Sequence, residues 1–268
     1  MRLARGPPPV TIRPMFESIF DETEIRNTHG EKIDYRWHPA VHPVHAKHCV
    51  VIGHGVTANL DRPFVRALAE GLAAQGIHAL RFSYSGNGAS EGRFQDSCIT
   101  KEVADLDAVL SAVQAKGFSL SYAGHSMGGA VGVLKTAADP RIRQFISLAG
   151  MVRPREFAET EFGTAVPDEG FMWDEPECPL SSTFMNDLKG IESLVPAIAN
   201  VKVPVLFVYG VDDDLVPLAH GREIFAAANE PKMMAELRGS NHVFSGDATP
   251  RMVFMVAEWM KSRLAAMK

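Results

Sequence analysis

The sequence has few cysteines, no long apolar run and no strong excess of charge of either sign. Its three cysteines, Cys49, Cys98 and Cys178, are far apart and odd in number. They predict neither a disulfide framework nor a zinc site, and they are typical of a reducing compartment. No stretch is apolar over the roughly 20 residues that a membrane-spanning helix needs. We therefore expect no membrane span and a cytoplasmic location.

The charge balance also excludes some partners. Lys and Arg number 27 against 32 Asp and Glu, a net charge of -5, and no basic run or basic-aromatic stripe is present. A nucleic-acid partner is therefore not expected. Residues 1–15 contain three arginines and three consecutive prolines but no apolar core of a signal peptide, so we interpret them as an extended surface arm.

Short apolar runs alternate with helical patterns of about three turns along most of the chain, which predicts βαβ units in an α/β fold. We expect one domain over residues 1–268, with a mostly parallel eight-stranded sheet and helices on both faces. The predicted strands are residues 17–26, 32–37, 49–52, 78–82, 119–123, 142–148, 205–209 and 233–237, the first two antiparallel. The predicted helices are residues 63–75, 100–116, 127–137, 218–228 and 250–265.

Residues 150–200 interrupt this alternation. The segment mixes large apolar residues with acidic ones, eight of which lie between Glu156 and Glu177. A long irregular segment within a compact domain is usually functional or disordered. We interpret it as a lid insertion with a polar outside and an apolar underside. Phe171, Trp173 and Phe184 within it, with Leu215 and Val243 outside it, are candidates for a substrate pocket, and ordinary packing is an equally open interpretation.

The pattern G-x-S-x-G, which is typical of a nucleophilic serine at a sharp strand-to-helix turn, occurs twice. At residues 124–128, Ser126 directly follows an apolar strand and precedes small residues that allow a helix to pack on the sheet. At residues 88–92, Ser90 comes several residues after its strand and is followed by polar residues. We predict Ser126 as the nucleophile and Ser90 as a residue of a solvent-facing loop.

A serine nucleophile needs a histidine base, and the base needs a carboxylate. In this type of site the chain order is serine, acid, histidine. Asp213 lies in a run of three aspartates after a late strand and is preferred to Asp212, while His242 follows the last strand. The oxyanion formed during attack needs two donors, for which we predict the N–H groups of Met127 and Val56. His54, Gly55 and His125, next to these groups in the chain, are assigned to the substrate site.

The other histidines considered are not expected to take part in catalysis or to bind a metal. His220 falls within a predicted helix and is interpreted as a surface residue. His38, His42, His45 and His48 are spread through a connector without an intervening cysteine or carboxylate, which does not secure a tetrahedral zinc site. The glycine-rich residues 85–92 lack the Lys-Ser/Thr continuation of a phosphate-binding loop. We expect neither a metal nor a cofactor.

Together these motifs resemble the α/β-hydrolase superfamily. Within it, the sequence is similar to small-lid bacterial esterases, which include cinnamoyl and feruloyl esterases, and to serine-aminopeptidase-like hydrolases. The resemblance implies an insertion after the sixth strand that forms part of the acyl or alcohol pocket, and it covers the chain from about Glu17 onward. It is carried by residues 53–55, 81–92, 124–129, 210–217 and 241–242.

The expected function is hydrolysis of a small-molecule carboxylic ester through an acyl-enzyme, with short to medium acyl or aromatic substrates. A thioesterase or an aminopeptidase-like hydrolase is the alternative, and a ligand-binding protein with this fold is a third hypothesis. Epoxide hydrolase and haloalkane dehalogenase chemistry are disfavoured because the turn has serine where those reactions use a carboxylate. We expect a monomer or a homodimer.

Overall fold

The computed structural model describes residues 19–40 and 42–267. Within these residues, seven strands form one sheet in the order β1-β3-β2-β4-β5-β6-β7. β1 runs antiparallel to β3, and the other neighbouring strands run parallel. The strands are β1 Tyr35–His38, β2 His48–Gly53, β3 His78–Phe82, β4 Ser119–His125, β5 Ile142–Leu148, β6 Val205–Gly210 and β7 Lys232–Leu237.

Helices cover both faces of this sheet, which explains why the central strands are nearly continuous apolar runs. One apolar core lies between the sheet and α1 and α8, and the other lies between the sheet and α2, α3 and α7. The helices are α1 Pro63–Ala74, α2 Ile99–Ala115, α3 Met127–Ala138, α4 Pro154–Phe162, α5 Ser182–Lys189, α6 Val195–Ile198, α7 Leu218–Ala227 and α8 Ala248–Ala265. None of the helices in the described residues has both the length and the apolar character to cross a membrane.

The prediction of eight strands is wrong, because the described part of the first predicted strand forms no ladder. Residues 19–22 form a turn, and Arg26 makes an isolated bridge to Lys32. Phe20 and Ile25 are both buried in the core. Their spacing does not alternate as a strand requires, so they anchor the segment as single side chains. The predicted arm, residues 1–15, lies outside the described residues.

Residues 150–200, expected to be irregular, contain α4, α5 and α6 between β5 and β6. α4 begins with Pro154, a residue that suits the first helical position. The Ser181 hydroxyl caps α5 by accepting the N–H of Phe184 at 3.1 Å. The buried residues of α5 recur at helical spacing. In α4, three glutamates within nine residues lower the mean hydropathy and obscure the helical pattern. α5 and α6 are only eight and four residues long, too short for a clear period.

The register brings the predicted site loops to one edge of the sheet. Gly53 at the end of β2 pairs with Gly124 of β4, and Gly210 at the end of β6 pairs with Leu237 at the end of β7. In parallel sheets, the crevice at the carboxyl ends of the strands is where ligands bind. The loops that follow β2, β4, β6 and β7 therefore share the edge expected for a site.

Candidate active site

Ser126 occupies the turn between β4 and α3. Its φ of 53° and ψ of -118° place a non-glycine residue in a strained region of backbone space. The Leu148 carbonyl accepts the Ser126 N–H at 3.0 Å, and the Ser126 carbonyl accepts the Met151 N–H at 2.9 Å. A Cβ on Gly124 would overlap the Gly128 carbonyl, so the turn requires glycine on both sides of the serine. Ser126 itself is 3% exposed.

The second motif serine has a different environment. The Ser90 hydroxyl donates to the Ser83 carbonyl at 2.8 Å and accepts the Asp34 N–H at 2.8 Å. Ser90 lies in a loop, as predicted, but the expectation that it faces solvent is wrong, because this residue is buried. The hydroxyl joins the loop after β3 to the chain just before β1.

The predicted acid and base are in contact. His242 Nδ1 lies 2.9 Å from Asp213 Oδ2 and 3.1 Å from Asp213 Oδ1. The Asp213 carboxylate is fully buried, and its Oδ1 also accepts the N–H groups of Leu215 and Val216. Asp212, the alternative acid, is exposed. The carboxylate thus holds the proton on Nδ1 of His242 and leaves Nε2 as the proton acceptor.

The Ser126 hydroxyl is not hydrogen-bonded to His242 in this structure, but His125 joins the two loops. Because a carbonyl can only accept, His125 Nε2–H donates to the His242 carbonyl at 2.9 Å. The two imidazole rings lie 4.7 Å apart, and Phe64 packs on the other side of His125 at 4.5 Å. Burial, and then the neighbouring His242, hold the pKa of His125 well below its usual range. His125 is therefore a neutral support of the base loop, and the structure does not present it to an open pocket.

The loop after β2 passes directly against the serine. A Cβ built on Gly55 would lie 2.7 Å from Ser126 Cβ and 3.3 Å from its Oγ, so glycine is required here. Val56, the next residue, is half-buried. Met127 is the first residue of α3, where a helix N–H has no carbonyl partner within the helix. The N–H groups predicted for an oxyanion site are thus on segments next to Ser126.

His54 has a different role from the one expected. It is fully buried, and its Nε2 accepts the Tyr84 N–H at 3.1 Å. Its Nδ1–H therefore donates to the Gly55 carbonyl at 2.8 Å. Burial lowers the pKa of His54 to about 4, which keeps the ring neutral. The assignment of His54 to substrate binding is wrong because both ring nitrogens are used to hold the loop.

Two buried tyrosines beneath this loop were not predicted. The Tyr122 hydroxyl donates to the Gly128 carbonyl at 3.0 Å and accepts from the Tyr84 hydroxyl at 2.6 Å. Gly53 lies so close to both hydroxyls that a Cβ there would overlap them. The pair therefore sets the spacing between the end of β2 and the first turn of α3. Tyr122 is on the buried strand β4 and Tyr84 lies two residues after β3. In a sequence both resemble ordinary core residues, so no pattern identified this pair.

Solved structures that superpose on this chain include esterases. Est1E from Butyrivibrio proteoclasticus with bound ferulic acid superposes with a TM-score of 0.81 at 24% identity, over 91% of this chain and 99% of that one. The esterase domain of a Rhodothermus marinus protein gives a TM-score of 0.71 at 20% identity, over 90% and 97% of the two chains. The chain has the α/β-hydrolase fold.

Sequence comparisons find distant relatives, several of them uncharacterised. Residues 44–167 match the family described as "Serine aminopeptidase, S33". An uncharacterized protein of Mycobacterium tuberculosis is 28% identical over 183 residues, which cover 68% of this chain and 59% of that protein. The α/β-hydrolase domain-containing protein WAV2 of Arabidopsis thaliana is 29% identical over 154 residues, 54% of this chain and 47% of that one. The chain thus spans less than two thirds of the length of the first relatives it matches.

A cleft next to the candidate site, which we name the α4 cleft, lies between α4 and the loop after β6. Leu215, one of the predicted pocket residues, lines it. The apolar wall is completed by Met151, Val152, Phe157, Val216 and Pro217, and the polar rim by Arg153, Glu156, Thr160, Glu161, Asp214 and His220. His220 lies 3.4 Å from Glu156, so it borders this cleft and is not simply a surface residue.

The other predicted pocket residues are dispersed. Trp173 Nε1 donates to Glu161 at 2.9 Å and its ring packs on Phe162, so it covers α4. Phe184 is 1% exposed and belongs to the core, which makes packing the correct interpretation for this residue. Phe171 and Val243 are both exposed, Val243 directly after the base His242.

His48 and His38, two of the four histidines considered for a zinc site, have separate partners. His48 lies between the hydroxyls of Ser119 and Ser121, and burial lowers its pKa to about 3. His38 Nε2 accepts from Arg81 at 2.9 Å. Over residues 19–40 and 42–267, no three His, Cys, Asp or Glu side chains are grouped so that they could hold a metal ion.

Proposed function

We propose that this α/β-hydrolase cleaves carboxylic esters through an acyl-enzyme on Ser126. The observation that carries the proposal is the buried Asp213–His242 pair on loops that end beside the strained serine turn. Such a pair fixes the orientation and tautomer of the imidazole and stabilises the imidazolium that forms when the ring takes the serine proton.

The proposed reaction begins with attack of Ser126 Oγ on the ester carbonyl carbon while His242 Nε2 takes the hydroxyl proton. The N–H groups of Met127 and Val56 stabilise the oxyanion, and a donor of this kind contributes about 10²–10³-fold to kcat. The intermediate then collapses as protonated His242 gives its proton to the leaving alcohol. A water molecule, deprotonated by His242, then attacks the acyl carbon. The bond between that carbon and Ser126 Oγ breaks as His242 returns the proton to Oγ, which releases the acid and restores the serine.

The proposed substrates are small esters with short to medium acyl or aromatic groups. The apolar wall of the α4 cleft, formed by residues such as Phe157 and Leu215, supports this class. Est1E binds ferulic acid, which makes hydroxycinnamate esters the first aromatic substrates to test. We further propose that residues 150–200 act as the lid of a single domain and supply part of this pocket.

A second candidate is an aminopeptidase or thioesterase on the same machinery. The match to the "Serine aminopeptidase, S33" family favours it. So does the rim of the α4 cleft, where Glu156, Glu161 and Asp214 would attract a cationic amino terminus. Because acidic residues at a surface are often simply solvated, we rank this candidate below the esterase.

The decisive experiment measures turnover of p-nitrophenyl esters from acetate to palmitate, methyl ferulate, acyl thioesters and amino-acid p-nitroanilides. The wild type is compared with Ser126→Ala and with Ser90→Ala, which alters the other motif serine. We expect ester turnover that Ser126→Ala abolishes and Ser90→Ala retains. Faster turnover of anilides would shift the assignment to the peptidase. If none of the substrates is turned over although ligands still bind, both enzyme assignments would be rejected in favour of a binding protein.

A further inference from the structure

The outer face of α8 carries an exposed aromatic ring. Phe254 is 63% exposed, more than any other large apolar side chain in the described part of the chain. A single exposed apolar residue needs no explanation. Phe254, however, stands between two grooves, and this arrangement is typical of a contact surface.

The two grooves run along either side of α8. On the α1 side, the groove is lined by small residues, among them Ala67, Gly71 and Ala74. A Cβ on Gly71 would overlap Val253, so the two helices are closely packed beneath the ring. On the other side, the groove lies against the edge strand β7 and contains Met233 and Met255. Met233 is itself 39% exposed.

Charged residues extend this apolar strip along the helix. Arg251 and Glu258 are exposed, and they lie on the same stripe of α8 as Phe254 and Met255. Arg251 donates to the carbonyls of Asp247 and Arg238, and none of the described carboxylates is within ion-pair distance of it. Glu258 contacts Lys261 at 2.9 Å. The guanidinium is thus positioned by backbone contacts without a partner of opposite charge.

We propose that this face of α8 binds a second copy of the chain, with the two α8 helices antiparallel about a two-fold axis. If the axis passes between residues 254 and 255, Phe254 of each copy faces Met255 of the other at the centre. Arg251 and Glu258 are equally distant from that midpoint, about 5 Å along the helix. Arg251 of each copy therefore faces Glu258 of the other, and the contact forms twice.

The choice of a second copy follows from this symmetry. A two-fold interface uses the same patch on both subunits and must be complementary to itself. One position of the axis here pairs the apolar residues with each other and the opposite charges with each other. An unrelated partner would not require positive and negative residues at equal distances on either side of the exposed ring.

Sedimentation velocity of the full chain over micromolar concentrations tests the proposal, with Phe254→Glu, Arg251→Glu, Glu258→Arg and the double variant Arg251→Glu/Glu258→Arg. We expect a wild-type dimer. Each single change should weaken dimerisation about tenfold or more, because it buries a charge or opposes like charges. The double variant, which restores opposite charges across the axis, should recover to within about threefold of wild type.

Val44→Glu is the matched control, since Val44 is exposed to a similar extent and lies before β2. It should leave the dimer unchanged, and thermal unfolding should show that every variant is folded. A wild type that sediments as a monomer, or a dimer that all of the α8 variants retain, would overturn the proposal. A double variant as weak as the single ones would overturn the antiparallel register.

Discussion

The turn after β4 and the loop after β3 contain the same five-residue pattern, but their serines are held differently. The Ser90 hydroxyl both donates and accepts a hydrogen bond within the fold, and Ser90 has no positive φ. Ser126 has a positive φ, lies at the first turn of a helix and has the Gly55 loop against its side chain. A serine can act as a nucleophile only where the fold leaves its hydroxyl available beside a base. The two serines therefore differ in their environment, which the five-residue pattern does not specify.

The largest expected effect on kcat comes from replacing each motif serine, one at a time, with alanine. Ser126→Ala should lower kcat for ester hydrolysis about 10⁴-fold or more, because the nucleophile is removed. Ser90→Ala should leave kcat within about threefold of wild type but lower the free energy of unfolding by about 1–3 kcal/mol, since the Asp34 N–H and the Ser83 carbonyl lose a buried partner. Steady-state kinetics and urea unfolding measure the two effects. Equal kinetic losses in both variants would remove the distinction between the sites.

The next largest effect on kcat distinguishes Asp213 from the neighbouring Asp212. Asp213→Asn should lower kcat about 10³–10⁴-fold, because an amide cannot hold His242 in the required protonation state. Asp212→Asn is the control, since Asp212 is exposed and should retain kcat within about twofold of wild type under the same assay. If Asp212→Asn were the inactive variant, the acid would be assigned wrongly.

A smaller effect is expected at His125, which joins the serine turn to the base loop. His125→Phe keeps a ring but removes the donor to the His242 carbonyl, and it should lower kcat about 10–100-fold with little change in KM. His125→Gln retains an N–H donor at a similar reach and should recover most of this loss. Both should be measured with their unfolding temperatures. If losses of kcat simply followed the unfolding temperature in the two variants, His125 would have only a structural role.

The smallest effect concerns stability and pH. Burial lowers the pKa of His54 to about 4 from the ordinary value of 6.5. The unfolded chain therefore binds a proton on this residue more readily than the folded chain. Stability from this group is fully present above pH 6.5, falls as the pH falls towards 4, and changes no further below that. Urea unfolding between pH 7 and 4 should show a shallower decline in His54→Gln than in wild type, and parallel curves would contradict the assignment.

The positions of Ser126, Asp213 and His242 could be predicted because each follows a strand whose apolar run is easily recognised, and parallel strands bring those loops to one edge. The seven strands of the sheet lie within or close to segments that the sequence predicts as strands. The strand predicted over residues 17–26 was wrong because Phe20 and Ile25 are buried without a ladder. Local patterns do not distinguish a single anchoring side chain from a strand.

The supporting residues could not be predicted for a different reason. His54 belongs to the loop motif after β2, which lies against Ser126. Its ring, however, faces the Tyr84 N–H and the Gly55 carbonyl. Tyr84 and Tyr122 meet only after β3 and β4 take their places on either side of β2. These contacts depend on which nitrogen or hydroxyl points towards which carbonyl, and a one-dimensional pattern carries no such information.

Trapping of the acyl-enzyme tests the central claim most directly. The protein is treated with a fluorophosphonate, or quenched in acid during turnover of p-nitrophenyl acetate, and the modified peptide is located by mass spectrometry. We predict stoichiometric modification of Ser126 that is lost in His242→Gln, with Ser90 unmodified. A label on Ser90, or turnover of the ester without any modified serine, would contradict the account.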